Sequence, residues 1–172
     1  MSNTDHWNDV YGNKSEAELS WHQDSPSVGL DLMKKAGLTT KSAVIDIGAG
    51  TSRLMERLLE LDLDDLSALD LSESVLAAVR VRLGEREKSV KWIVADITRW
   101  KPTQTYDVWH DRAVFHFLVK YEDRIAYIQR LSQCVAPGGH AIIATFASDG
   151  PEKCSGLPVS RYSPTSLAET LG

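Results

Sequence analysis

The sequence has little of what marks several large classes of protein. It holds only two cysteines, Cys134 and Cys154, with neither zinc-ligand spacing nor a second pair, so we assign them no chemistry. Apolar runs such as Ala141 to Ala147 are far too short to span a bilayer. The 19 Lys and Arg are outnumbered by 24 Asp and Glu and form no dense run, which argues against a nucleic-acid partner.

The chain of 172 residues has the length of one domain, which we place at 1–172. Its polar beginning, Met1 to His6, lacks the basic-then-apolar order of a secretory signal. We therefore expect a cytoplasmic protein with no membrane segment.

Short apolar runs alternate with helical patterns from about residue 43 onward, which indicates βα units and a parallel sheet. Five short, mainly apolar runs, the first of them broken by Asp46, predict strands buried on both faces, at 43–47, 66–69, 90–94, 106–109 and 141–146. Apolar residues three and four apart predict the helices between them. Other helices are predicted near 4–11, 27–36, 122–133 and 163–171, and a turn is predicted at Pro137-Gly138-Gly139.

A glycine-rich turn, Gly48-Ala49-Gly50, joins the first predicted strand to a helix that Thr51 or Ser52 would cap. Such a turn exposes N–H groups at a helix N-terminus and lets the backbone approach a ligand. Glycine also ends strands for steric reasons, so the turn alone decides nothing.

Acidic residues follow the next two strands. Asp70 lies twenty residues after Gly50, where a carboxylate can accept both hydroxyls of a ribose, although it also suits an N-cap near Ser72. Asp96 follows the third strand, where it can meet an adenine amino group or serve only as a loop residue. Acids at three successive strand ends, beside this turn, favour a nucleoside cofactor.

The residues around the turn discriminate between such cofactors. A dinucleotide fingerprint needs a third glycine where this chain has Arg53, and no Gly-Lys-Ser/Thr of a P-loop is present. Asp46, two residues before Gly48, would repel a pyrophosphate but attract the ammonium group of a methionine moiety. The sequence therefore favours S-adenosylmethionine (SAM).

The pattern Asp46-x-Gly48-x-Gly50, with Asp70, Asp96 and Pro137-Gly138-Gly139, resembles the class I SAM-dependent methyltransferases over residues 43–146. The resemblance implies a Rossmann-like three-layer αβα sandwich with a mostly parallel sheet. It implies that the glycine turn binds the methionine part, Asp70 the ribose, and Asp96 with Ile97 the adenine. The cofactor-binding set predicted in the core is Asp46, Gly48, Ala49, Gly50, Ser52, Asp70, Leu71, Asp96 and Ile97.

The stretches Trp7-x-x-x-Tyr11, Ser20 to Gln23 and Trp109 to Ala113 resemble the thiopurine and thiol methyltransferase branch. There a tryptophan-bearing N-terminal segment covers SAM, which implies that Trp7, Tyr11 and Trp21 lie over the cofactor; simple packing of the N-terminal helices is the alternative. The Asp-Arg pair is also similar to the Asp-Lys-Gly of small lysine methyltransferases acting on elongation factors. The acceptor therefore stays open.

Methyl transfer from a sulfonium needs a well-placed nucleophile more than a strong base. We expect Arg112 to raise the thiolate fraction of a thiol acceptor or to hold an acidic group, with Asp111 orienting it. His110 is expected to line the pocket or relay a proton. Asp111 also suits the cap of a helix that begins near Ala113. His110, Asp111 and His116 match no familiar metal-ligand spacing, so no metal is expected.

The class I fold has seven strands, and the sixth and seventh are missing after the fifth predicted strand. We divide the chain into an N-terminal helical cover (1–40), a SAM-binding core (41–147), and an acceptor-site loop with the last helix (148–172). The fifth strand is then an exposed edge. A shortened variant, a homodimer paired through this edge and a fragment are all left open.

These observations predict a SAM-dependent methyltransferase of a small nucleophilic acceptor, with a thiol as the first candidate. The alternatives are a protein lysine methyltransferase and a SAM-binding protein without catalysis. A nucleotide-dependent oxidoreductase is opposed by Arg53.

Overall fold

The computed structural model describes residues 3–13 and 25–172. The strands are β1 (Ala43–Ile47), β2 (Asp65–Asp70), β3 (Val90–Val94), β4 (Tyr106–Arg112), β5 (Val135–Ala144), β6 (Lys153–Cys154) and β7 (Leu157–Pro158). The α-helices are α1 (Asn3–Asn13), α2 (Ser27–Lys35), α3 (Leu54–Glu60), α4 (Glu73–Leu83), α5 (Tyr121–Cys134) and α6 (Pro164–Leu171), with 3-10 turns at Gly84–Ser89 and Phe115–Phe117. In these ranges no helix has the length and apolar character needed to cross a lipid bilayer.

Five strands form one sheet in the order β3-β2-β1-β4-β5, and every neighbouring pair is parallel. Because parallel strands all point the same way, their carboxyl ends meet at one edge of the sheet. Helices cover both faces, which gives the predicted three-layer Rossmann-like sandwich.

Alternating side chains of the strands divide the core in two. On one face Val44, Leu66 and Val108 pack with apolar residues of α2, α3 and α4. On the other face Ile45 and Trp109 pack with α5, α6 and the turn at Phe115–Phe117. The central strands β1, β2 and β4 are largely buried on both faces, as predicted. The outer strands β3 and β5 were expected to be buried in the same way, but both remain partly exposed.

Two predicted element boundaries were wrong. The fourth strand was expected to end at Trp109, but β4 continues to Arg112, so that His110, Asp111 and Arg112 lie within the strand. The fifth strand was expected to begin at Ala141 after a turn, but β5 begins at Val135, directly after α5.

The expected turn at Pro137-Gly138-Gly139 instead lies inside β5. The register between β4 and β5 shifts between Tyr106 and Val108, opposite this segment. A bulge on an outer strand tolerates a proline, whose missing N–H leaves no ladder bond unmade there. The last strand of the sheet is therefore longer than its apolar run.

β5 is one of the two outer strands of the sheet and so lies at an edge, as expected. The segment after it was predicted as a loop, and within it β6 and β7 form a short antiparallel hairpin separate from the main sheet. The last helix agrees with its prediction, since Ser163 caps α6 through a reciprocal pair of hydrogen bonds with Ser166.

His116 is fully buried in the turn at Phe115–Phe117. Its ring centroid lies 4.4 Å from that of Phe117 and 4.8 Å from that of Phe146, and neither ring nitrogen meets a hydrogen-bond partner among the described residues. Burial lowers the pKa of His116 to about 4. The imidazole is therefore neutral in the folded protein and packs as an aromatic ring.

We expect His116→Phe to raise the free energy of unfolding by about 1 kcal/mol at neutral pH, because it removes two unpaired polar atoms from an apolar site. In the wild type the unfolded chain takes up a proton below about pH 6.5, whereas the folded protein does so only below about pH 4. The wild type therefore loses stability from this residue as the pH falls through that window, and the variant does not. Urea unfolding at several pH values measures the gap, and a gap that stays constant with pH would contradict a neutral buried imidazole.

Candidate functional site

One cavity lies at the carboxyl ends of β1 to β4, the edge where ligands bind in open α/β sheets. Most residues predicted for the site line it: Trp7, Tyr11, Asp46, Gly48, Ala49, Gly50, Ser52, Asp70, Leu71, Asp96, Ile97, His110 and Arg112. Trp21 lies outside the described residues. Asp111 does not line the cavity.

Both glycines of the turn after β1 are needed for the local geometry. Gly48 has φ +66° and Gly50 has φ +51°, where residues with a side chain are strained. A Cβ on Gly48 would overlap Cγ2 of Val114, and one on Gly50 would lie 2.9 Å from the Tyr11 hydroxyl. The turn is thus held between the β4–α5 connection and α1.

Asp70, at the end of β2, contacts this turn directly. Its Oδ2 accepts a hydrogen bond from the Gly50 N–H at 2.9 Å, and its Oδ1 accepts one from the Ser72 N–H at 2.9 Å. Burial raises the pKa of Asp70, against the lowering effect of the backbone donors Ser72, Gly50 and Leu71. The N-cap of α4 is Ser72 and not Asp70. Asp70 therefore orients the glycine turn as well as lining the cavity.

Asp46, near the end of β1, pairs with His110 of β4. The Asp46 Oδ1 and His110 Nδ1 atoms lie 2.6 Å apart, and both side chains are buried. Burial lowers the pKa of His110, but the charge and hydrogen bond of Asp46 and the charge of Asp111 raise it more, so the net shift is upward. The Asp46 Oδ2 atom is buried and has no hydrogen-bond partner in the described part of the chain.

Asp111 points to the opposite face of the sheet. Its carboxylate accepts hydrogen bonds from the N–H groups of Val114 (2.8 Å) and Phe115 (3.1 Å) and from the Tyr127 hydroxyl (2.6 Å). Burial raises its pKa to about 6, against these donors. The expectation that Asp111 orients Arg112 was wrong, because neighbouring residues of a strand face opposite ways. Its contacts agree with the alternative interpretation, in which Asp111 caps the turn that follows β4 by accepting hydrogen bonds from its N–H groups.

Arg112 and the residues after it form the end of the cavity beside β4. Burial lowers the pKa of Arg112, although the charge of Asp46 acts in the other direction. Ala113 has φ +75°, a strained value for a residue other than glycine. Phe117, Leu118 and Cys154 complete this wall.

Helix α1 lies across the cavity. The Asn8 Oδ1 atom accepts a hydrogen bond from the Ser72 hydroxyl at 2.7 Å, and the Trp7 ring centroid lies 5.1 Å from that of Phe117. Burial, followed by the charge of Asp70, raises the pKa of Tyr11. α1 thereby joins the N-terminus of α4 to the wall beside β4.

Asp96 lies at the end of the cavity beside β3. Its Oδ1 accepts hydrogen bonds from the N–H and the hydroxyl of Thr98, at 2.8 and 2.7 Å. It therefore has the contacts of the loop residue that was the alternative interpretation, while still lining the cavity.

The predicted site set omits several residues that line the cavity, among them Phe117, Leu118 and Cys154, and it omits Arg82, which contacts the glycine turn from outside. Cys154 is 5% exposed and lines the cavity from β6; its only signal was its place in the predicted acceptor-site loop. Arg82 of α4 donates hydrogen bonds to the carbonyls of Thr51 (3.2 Å) and Ser52 (2.8 Å) and pairs with Glu56. The position of Arg82 on an amphipathic helix does not predict these hydrogen bonds from the sequence.

The described residues hold no group of three or more His, Cys, Asp or Glu able to bind a metal ion.

Comparison with known proteins gives one family match. Residues 44–139 match the sequence profile of a family described as "Methyltransferase domain". Malonyl-(acyl-carrier protein) O-methyltransferase 2 of Ilyobacter polytropus is 26% identical over 62% of this chain and 40% of its own length. The eEF1A lysine and N-terminal methyltransferase of Danio rerio is 23% identical over 87% of this chain and 22% of its own length. The chain thus spans less than half the length of these curated relatives.

Among solved structures, Burkholderia thailandensis 1,6-didemethyltoxoflavin-N1-methyltransferase, bound to 1,6-didemethyltoxoflavin and S-adenosylhomocysteine, superimposes with a TM-score of 0.68. The sequences are 22% identical, and the match covers 98% of this chain and 70% of the other. The likeness supports the five-stranded α/β fold.

We expect Gly48→Ala to lower the free energy of unfolding by about 2 kcal/mol or more, through backbone strain and overlap with Val114. The double variant Gly48→Ala/Val114→Ala relieves the overlap but not the strain. Adding Gly48→Ala to Val114→Ala should therefore cost less than adding it to the wild type, as measured by chemical denaturation. Equal costs in the two backgrounds would contradict the contact.

Proposed function

The chain belongs to the methyltransferase domain family, and we propose that it binds SAM and transfers the methyl group to a small nucleophilic acceptor, with a thiol as the first candidate. The observation that carries this proposal is the convergence of Asp46, Asp70 and Asp96, from three successive strand ends, on one cavity beside the glycine turn. This set of hydrogen-bond acceptors suits a ligand with an ammonium group, vicinal hydroxyls and an amino-bearing base.

The methionine part is assigned to the turn. Gly48, Ala49 and Gly50 line the cavity, and Ser52 lines it beside them. The buried Asp46 Oδ2, unpaired among the described residues, supplies an acceptor for the ammonium group.

The nucleoside part is assigned to the ends of β2 and β3. Asp70, already oriented by two backbone N–H groups, retains lone pairs for ribose hydroxyls. Leu71 lies beside the ribose, while Asp96 and Ile97 bind the adenine. The N-terminal cover contributes Trp7 and Tyr11, and we assign Trp21 to the same cover.

When bound, SAM supplies a methyl group on a positively charged sulfur that leaves as a neutral thioether. The residues of the chain then place the nucleophile in line and exclude water. Arg112, with Phe117 and Cys154 beside it, is assigned to the acceptor end because this end lies furthest from Asp96 along the strand order. A guanidinium there favours the thiolate form of a thiol.

Other acceptors and roles define the alternatives. An oxygen acceptor is named for the Ilyobacter relative and a protein lysine for the zebrafish one. A SAM-binding protein without catalysis would bind the cofactor and turn over no acceptor in a broad panel. We assign residues 148–172 to the acceptor side of the cavity. We also propose that two copies of the chain pair along β5, which a sedimentation experiment would detect.

We expect SAM and S-adenosylhomocysteine to bind the wild type and to lose about tenfold or more in affinity in Asp70→Ala, since hydrogen bonds to a charged group are among the strongest in a site. Calorimetry measures both. Asp65→Ala, at the other end of β2, is the matched control and should bind like the wild type. Thermal unfolding of each variant separates lost contacts from a loosened turn, and a wild type that binds neither ligand would overturn the cofactor assignment.

We expect Arg112→Met to lower kcat/KM for a thiol about tenfold at pH 7 but little at pH 9.5, because a thiol with a pKa near ~8.5 ionises there without help. Arg112→Lys keeps the charge and should behave more like the wild type. A loss that does not change with pH would instead indicate an acceptor already ionised at pH 7, such as a carboxylate. The pH profile of kcat/KM is the measurement.

A further inference from the structure

We infer that His110 is a positioning residue that occupies Oδ1 of Asp46 and so leaves Oδ2 as the one oxygen that receives the ammonium group of the ligand. The inference rests on the proposed function and assigns His110 no contact with the acceptor. It replaces the expectation that His110 relays a proton.

The pairing of β1 with β4 brings the two side chains together. Asp46 and His110 are register partners on adjacent parallel strands. Register partners of a parallel pair point to the same face, so both side chains lie on the face of the sheet that α2 and α3 cover. Contact between these residues, 64 positions apart in the chain, therefore follows from the backbone alone.

The His110 ring is confined on its other side by α2. A Cβ built on Gly29, inside that helix, would lie 2.9 Å from the His110 Nε2 atom. The ring thus lies between the Asp46 carboxylate and the backbone of α2, with its Nε2 atom on the side of the helix. Glycine costs stability inside a helix, and here its lack of a side chain makes room for the ring.

The burial of Asp46 explains why a partner is required. Its side chain is 3% exposed, and His110, 7% exposed, is its hydrogen-bonding side chain among the described residues. A buried carboxylate with neither oxygen paired carries a large desolvation cost. With Oδ1 held, the orientation of the side chain is restricted, and Oδ2 is left as the oxygen without a hydrogen-bond partner among the described residues.

The first experiment is a double-variant cycle read by calorimetric SAM binding. We expect His110→Leu to weaken SAM binding about tenfold, and His110→Asn, whose amide N–H replaces Nδ1–H, to stay within about threefold of the wild type. In the Asp46→Asn background, His110→Leu should change the affinity by no more than about twofold. An equal loss in both backgrounds would show that His110 does not act through Asp46 and would overturn the inference.

Gly29→Ala tests the confinement independently. By helix propensity alone it should stabilise α2 by replacing glycine with the best helix former. We expect it instead to weaken SAM binding about fivefold by displacing the His110 ring. His116→Phe is the matched control for a buried histidine and should leave SAM affinity unchanged. Unchanged affinity in Gly29→Ala would contradict the confinement.

The second readout needs no ligand. Nitrogen-detected NMR of the imidazoles should show His110 protonated at Nδ1, in a hydrogen bond that Asp46→Asn weakens. A wild type that binds no SAM but shows this bond would overturn the proposed function and, with it, the role of Oδ2. A wild type that binds SAM without this bond would overturn only the inference.

Discussion

The parallel pairing of β1 with β4 is the constraint on which the site depends. Its register sets Asp46 beside His110 and Ile47 beside Asp111. Because side chains alternate along a strand, the neighbouring polar residues His110 and Asp111 point to opposite faces of the sheet and make different contacts. His110 joins an acid at the cavity, and Asp111 enters the core, where it accepts hydrogen bonds from Tyr127 and the following turn. A shift of one residue would exchange these roles.

The neighbouring strand β2 contributes Asp70, which contacts the glycine turn at the end of β1. Asp70 receives the Gly50 N–H, so the carboxylate at the end of β2 and the turn at the end of β1 fix each other. Arg82 holds the far end of the same turn from α4. The turn is therefore held at Gly50, Thr51 and Ser52 before any ligand arrives, and a preorganised backbone loses little binding energy to its own ordering.

The sequence predicts the core of this architecture well, because its signals are local. Each apolar run marks a strand, and the three central strands are largely buried on both faces. The two glycines of the predicted turn, Gly48 and Gly50, lie where φ is positive. The convergence of the acids at three strand ends could be predicted because parallel strands end at the same edge of a sheet. The family match covers the same part of the chain.

The features that the sequence did not predict depend on contacts between residues far apart in the chain. The polar series His110-Asp111-Arg112 has the composition of a loop, yet it completes β4 because Asp46 and Tyr127 pair with its buried members. Pro137 argues against a strand, and only an outer position with a bulge accommodates it. Cys154 reaches the cavity through a short hairpin that carries no periodic pattern.

Helix α1 has a consequence for the kinetics of exchange at the site. Its described side chains are half-buried or exposed and none is fully buried, so lifting it from the cavity exposes far less apolar surface than disrupting the sheet. Segments attached in this way open with a free energy well below that of global unfolding. Under the proposed function, a local opening of α1 would expose the cavity while the sheet and its strand-end acids stay in place.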